Sequence, residues 1–141
     1  RYIGYRKYLM IKDIPYKKEY YVEDRTDDGK PFDLELPKKL PQAFFCNCDM
    51  TAHKCIDALK ARGLRVPEDV AVVGYDDHDM YSAEDYKITT YRVNTNEMIN
   101  HCLNIIEQHQ NNPDYRYGTT VSYGRLIERE TGKRKTGSSN A

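Results

Sequence analysis

Two short stretches carry side chains able to grip a polar ligand: Cys46-Asn47-Cys48-Asp49 and Gly74-Tyr75-Asp76-Asp77. Each overlaps or follows an apolar run, Ala43–Cys46 in the first case and Val70–Val73 in the second. An ionised carboxylate accepts two hydroxyl hydrogens at once in charge-assisted bonds, and a carboxamide offers both donor and acceptor. Grouped together, such side chains suit a neutral polyhydroxylated ligand of the sugar kind. A glycine at position 74 lets the backbone turn or approach a ligand closely. Plainer roles stay open for the same residues: Asp49 can cap a following helix, and Asp76-Asp77 can turn the chain.

Asp76, Asp77 and Asp79 with His78 also compose a set of metal ligands, and Cys46, Cys48, His53 and Cys55 a softer one. Structural zinc is ordinarily held by C-x-x-C knuckles on loops, whereas Cys46 and Cys48 close an apolar run and Cys55 faces a helix core. Neither set is read as a metal site, and no cofactor is expected. The sequence contains no glycine-rich phosphate loop, nucleophile elbow or kinase motif, so no catalytic residue is assigned. His101 and His109 read as solvated or satisfied residues of a helix, and Lys133-Arg134-Lys135 as a solvated basic run.

The elements that hold the two polar stretches follow from local pattern. Ala43–Cys46 has the length and apolarity of a strand, with Asp49 at the expected start of a helix whose face is Ala52, Cys55, Ile56 and Leu59. Gly63 stands where a left-handed C-cap belongs. Val70–Val73 is apolar without alternation, the mark of a strand covered on both faces. Strand, helix, strand at this spacing implies parallel strands and a right-handed crossover. The fold class is therefore α/β, an open parallel sheet flanked by helices. In such sheets ligands bind beyond the carboxyl ends of the strands, where both polar stretches lie.

Elsewhere, helical spacing of Tyr2, Tyr5, Tyr8, Leu9 and Lys12 predicts a helix from Arg1 to about Lys12, ended by Pro15. Tyr20-Tyr21-Val22 reads as a short β-type run, Glu23–Lys30 as a charged turn, and Pro31–Pro41, with three prolines, as an irregular connection. Ile88–Val93 is β-type, Met98, Ile99, Cys102, Leu103 and Ile106 line an amphipathic helix broken by Asn111-Asn112-Pro113, and Thr119–Ile127 is β-type again. Lys133–Ala141 is expected to be a flexible polar tail.

Twenty-two basic residues balance twenty-two acidic ones over 141 positions, so no overall field favours nucleic acid or an anionic membrane. The length suits one ordinary core, and no apolar run approaches a membrane span. Four cysteines set within apolar runs suggest reduced thiols and a cytoplasmic origin.

The run Leu64-Arg65-Val66-Pro67-Glu68-Asp69-Val70-Ala71-Val72-Val73-Gly74-Tyr75-Asp76-Asp77 closely resembles a signature of the LacI/GalR family of transcriptional regulators. Arg1-Tyr2-Ile3-Gly4-Tyr5, Thr89-Thr90 and Leu126–Thr131 resemble three further segments of that family, in its order. The resemblance implies the C-terminal part of a periplasmic-binding-protein-like effector-binding region: residues 1–132, mostly the second of two lobes, with a crossover near 89–94. It also implies a homodimer, and operator DNA bound only through a helix-turn-helix headpiece upstream of Arg1, along with the first lobe and the opening strand of the second.

By the same resemblance, Arg1 reaches the effector from the first helix of this lobe, and Asp76 accepts hydrogen bonds from sugar hydroxyls. Cys48 stands where many sugar-responsive members carry asparagine, with Asn47 one residue earlier placed to compensate. Arg25 falls near an aromatic stacking position, a change that moves the expectation toward an acidic or phosphorylated effector. The alternative within the same fold is a solute-binding protein of a sugar transporter; a metal-dependent enzyme ranks below it.

Overall fold

The computed structural model describes residues 1–30, 33–78 and 86–133. Its centre is the expected strand–helix–strand unit. Strand β1 (Ala43–Phe45) leads into helix α2 (Asp49–Ala61), which returns the chain to β2 (Ala71–Asp76), parallel to β1 with Phe44 opposite Val72. Helix α1 (Tyr2–Ile11) precedes this unit. Strand β3 (Thr89–Arg92) adds parallel to β2, with Gly74 opposite Thr90. Helix α3 (Thr95–Asn111) follows, and β4 (Arg125–Ile127) comes back antiparallel to β3. The order β1-β2-β3-β4 makes an open sheet, parallel through its first three strands and mixed at the β4 edge.

Burial explains the centre. Ala52, Ile56 and Leu59 of α2 and Val72 of β2 are wholly buried, and Leu36, Phe44, Cys46, Cys55, Val70 and Ile88 complete one cluster between helix and sheet. Leu36 belongs to the proline-rich connection, which is irregular as expected. Arg62, just past α2, pins it by donating to the carbonyl oxygens of Pro37, at 2.8 Å, and Leu36.

Both α1 and α2 end in the same hydrogen-bonded closure. Gly63 N–H donates to Lys60 and Leu64 N–H to Leu59, with Gly63 at φ +75°. At the end of α1, Asp13 takes the left-handed place at φ +53°, and Ile14 N–H bonds back to Leu9. The stop therefore comes before Pro15.

Three local expectations change. Tyr20-Tyr21-Val22 forms no strand: Lys18–Tyr20 is a 3-10 turn and Tyr21 continues in extended form without a sheet neighbour. Of the β-type stretch Thr119–Ile127, only Arg125–Ile127 pairs, because β3 is itself just four residues long. The residue before the helix at Asp49 is Cys48, which has extended backbone and makes no side-chain cap bond, while Asp49 opens the helix and is buried. The basic run beyond Lys133 and the residues from Asp79 to Asp85 fall outside the described residues.

Candidate functional site

The carboxyl ends of β1 and β2 lie side by side, so both polar stretches stand at one lip of the sheet. Arg1, at the start of α1, reaches across to β2: its guanidinium donates to Asp76 Oδ1 at 2.7 Å and lies 4.1 Å above the ring of Tyr75. Tyr75 in turn stacks on Tyr91 of β3, ring centres 5.3 Å apart. Arg1 and Asp76 both remain partly exposed. Partial burial raises the Asp76 carboxyl above the ordinary carboxylate range, with Arg1 lowering it and Asp49 raising it further.

Asn47, Cys48 and Arg25 meet in a second group whose hub, Asp24, the sequence did not single out. One oxygen of Asp24 accepts from Asn47 Nδ2 at 2.9 Å and Thr51 Oγ1 at 2.8 Å, with Arg25 Nε at 3.5 Å. A carboxylate can only accept, so the amide nitrogen of Asn47 must face it. Asn47 Oδ1 then points the other way, buried and without a hydrogen-bond partner among the described residues. The Cys48 thiol lies 3.3 Å from Thr51 Oγ1 and 3.9 Å from the Arg25 guanidinium. Each arginine of the lip is thus paired with an aspartate.

A cavity of about 430 Å3 opens beside β1, with Arg1, Asp24, Asn47 and Thr51 among its lining and walls that include Tyr21, Val22, Phe44 and Phe45. Ala71 N–H bonds to Gln42 and Cys46 N–H to Val73, so the alternate residues Ala43 and Phe45 turn their backbone groups to the opposite edge, where no strand pairs among the described residues. The cavity is therefore a slot along a free strand edge. Asp76, Cys48 and Arg25 stand outside its lining.

Asp77, next to Asp76, does different work. Its carboxylate is almost fully buried and accepts from Arg129 NH1 at 2.6 Å and from Arg92 Nε. Burial alone pushes this carboxyl up, but the two guanidinium groups outweigh it and hold Asp77 below the usual range. Buried Asp49 accepts from Thr90 Oγ1 at 2.7 Å and from His78 N–H at 3.0 Å. Thr131 Oγ1 donates to the Val72 carbonyl and accepts from Thr89 N–H, 2.8 and 2.9 Å away. Residues from all three C-terminal signature segments, Asp77, Thr89, Thr90, Arg129 and Thr131, thus share one polar network beneath the lip. Asp24, Thr51 and Arg92 were missed in the sequence because the bonds Asp24–Asn47, Asp24–Thr51 and Arg92–Asp77 each span 15 or more positions.

The soft metal set does not assemble as one. Cys46 and Cys55 face each other, and this hydrogen bond and burial push the Cys46 thiol well up. All four cysteines are free, Cys48 half-buried and Cys102 exposed. Among the described residues no three His, Cys, Asp or Glu side chains converge on a point that could hold a metal ion.

The periplasmic binding protein-like domain family matches residues 1–131. The chain belongs to this family, in its LacI-type branch. It is 40% identical over 79 residues to a probable HTH-type transcriptional repressor, ExuR, of Bacillus subtilis (strain 168), covering 52% of this chain and 23% of that protein. It is 31% identical over 103 residues to the arabinose metabolism transcriptional repressor of Geobacillus stearothermophilus, covering 67% and 28%. Among solved structures, the transcriptional regulator CelR in complex with cellobiose superimposes with a TM-score of 0.71 at 26% identity, covering 92% of this chain and 41% of that one. The lactose repressor bound to ONPF gives 0.59 at 26% identity, covering 66% and 34%. This chain therefore spans about a quarter of the curated relatives quoted. Those relatives are transcriptional repressors, and this LacI-type chain corresponds to their effector-binding region.

Proposed function

We propose that this chain senses a small neutral polyhydroxylated effector, a sugar or sugar derivative, at the lip formed by Arg1, Asp76, Asn47, Cys48 and Arg25. The observation that carries this reading is the Arg1–Asp76 pair at the end of β2, with Arg1 lining the same cavity as Asn47, whose side-chain oxygen has no donor among the described residues. A sugar hydroxyl supplies the missing donor, Asp76 keeps an oxygen free of Arg1, and the arginine offers further N–H groups. Arg25, read alone, favours an acidic effector; its pairing with Asp24 cancels that charge and favours a neutral one. The CelR structure holds cellobiose, and a further LacI-type regulator, from Lactobacillus casei, holds glucose at 26% identity and a TM-score of 0.55.

In this reading residues 1–132 form most of one lobe, and the strand that opens the lobe adds to the free edge of β1, filling the slot between Phe45 and Tyr21. Effector binding shifts an equilibrium between lobe arrangements and so alters operator binding by a headpiece outside this chain, which requires different effector affinity in the two states. Apolar residues left exposed on α1 and α3 support self-association of the parent protein. Among the described residues no helix is long and apolar enough to cross a membrane.

The test is Asp76→Ala in the intact protein, with cellobiose, glucose, arabinose and ribose titrated calorimetrically against wild type. For the sugar that binds, affinity should fall by about 1.5–3 kcal/mol, roughly 10- to 150-fold, the range for hydrogen bonds to a charged group. Unchanged affinity removes Asp76 from the site.

A further inference from the structure

Asp76 and Asp77 have backbone φ angles of +102° and +56°, a left-handed pair built without glycine. Such a conformation costs on the order of 1–3 kcal/mol per residue and persists only where the surroundings over-determine it. Here they do. Asp77 N–H donates to Thr90 Oγ1 at 3.3 Å, His78 N–H donates to Asp49, and the Asp77 carboxylate is held by Arg92 and Arg129. Arg129 also donates to the Ile88 carbonyl at 3.0 Å and exchanges bonds with Thr89 Oγ1 at 2.8 and 2.9 Å.

The places from which these grips come matter. The chain leaves the sheet after Arg92, builds α3, and returns at β4, so Arg92 stands at the exit and Arg129 just after the return. Helix α3 buries none of its residues, and Met98, Ile99, Leu103 and Ile106 are each at least half exposed. Arg92 and Arg129 thus bracket the α3 excursion. Both ends close on Asp77, and the residue before it, Asp76, is the one that meets Arg1.

We propose that Asp77, gripped by Arg92 and Arg129, is a positioning clamp that sets the Asp76 carboxylate at the lip and couples the lip mechanically to the α3 excursion. The proposal rests on the effector reading only in taking the Asp76 lip to be the effector site. A buried ion cluster is weak evidence for stability, since apolar replacements often serve as well, but it fixes geometry tightly. Displacement of β3 and β4 relative to β2 is felt at Asp77 and passed on to Asp76, and a ligand that draws Asp76 toward itself pulls in the opposite direction.

The experiment needs no effector, so its outcome is separate from that of the affinity test. The Asp76 carboxyl is titrated by carbon-detected NMR in the chain and in Arg129→Met, Arg129→Lys and Arg92→Met variants. Removing a nearby positive charge, by field alone, raises a carboxyl; releasing the lip into solvent lowers Asp76 toward the ordinary value. The clamp therefore predicts a downward shift in Arg129→Met, with Arg129→Lys closer to wild type. It also predicts that Arg1→Ala shifts the urea midpoint by less than half its wild-type amount once Arg129 is methionine, because the two changes share one pathway. An unchanged or raised Asp76 titration in folded variants, or full additivity, overturns the clamp. Should Arg129→Met fail to fold, Arg92→Met, whose side chain is 43% exposed, carries the same two readings.

Discussion

Helices α2 and α3 carry the same kind of sequence pattern and meet opposite fates. Ala52, Cys55, Ile56 and Leu59 on α2 are all buried to 2% exposure or less, whereas Met98, Ile99, Leu103 and Ile106 on α3 are each at least half exposed. The spacing of apolar residues says that a helix has a face to cover, and nothing about whether the cover lies within the same chain. For α2 it does, in β1 and β2; for α3 the described residues supply none.

Truncating the covered face is the hardest blow. Leu59→Ala or Ile56→Ala should cost about 2–5 kcal/mol in urea unfolding, because a packed cluster around a fully buried side chain collapses only partly into the hole. A loss near zero would mean that α2 is no better covered than α3.

The polar end of β2 has its own sensitivity, to acid. Asp77 has a folded-state carboxyl depressed below its unfolded value, so its contribution is complete above the unfolded value and is lost as pH falls toward the folded one. Asp76 is raised and has the reverse sign: it favours folding while protonated, and that contribution is lost as pH rises through its folded value. Urea midpoints measured from pH 6 downward should thus fall more steeply for wild type than for Asp77→Asn, and more steeply for Asp76→Asn than for wild type. Equal slopes would refute both assignments.

At the start of α3, Asn94 accepts from Glu97 N–H at 3.2 Å and donates to the Glu97 carboxylate at 3.0 Å. Without tertiary cover the helix depends on such local closure, so Asn94→Ala should cost α3 about 1 kcal/mol, read as lost helical signal in circular dichroism. The smallest effect is expected from Leu103→Gln. In the chain alone it should change stability by under about 0.5 kcal/mol, as for an exposed site, while lowering self-association in sedimentation. A large loss of stability would show that α3 is covered after all.

The strand–helix–strand centre was legible because its signals are local: an apolar run, a period of 3.6, a glycine at the turn. The lip was legible for the same reason, since strand ends are found once strands are. Asp49 was not, because a helix cap and a buried buttress look alike in sequence; what separates them is Thr90, 41 positions away. Arg92 and Arg129 lay hidden for a similar reason, joined to Asp77 across 15 and 52 positions. The Tyr20–Val22 run looked like a strand because aromatic and branched residues favour that conformation, but a strand also needs a neighbour. Resemblance pointed to Arg1 and Asp76, and the structure brings those two together; Asp24, the hub of the second group, carried no signal beyond its charge.

Position 74 sets a boundary for anyone wishing to retailor the lip. A Cβ atom there would sit 2.1 Å from Asp49 Oδ1 and 3.1 Å from Ile88, so even alanine must displace the buried carboxylate that braces the strand end. Libraries at the lip are better spent on positions 25 and 48, since Asn47 is tied to Asp24 at 2.9 Å, whereas diversity at 74 would mostly be spent on chains whose strand end has come apart.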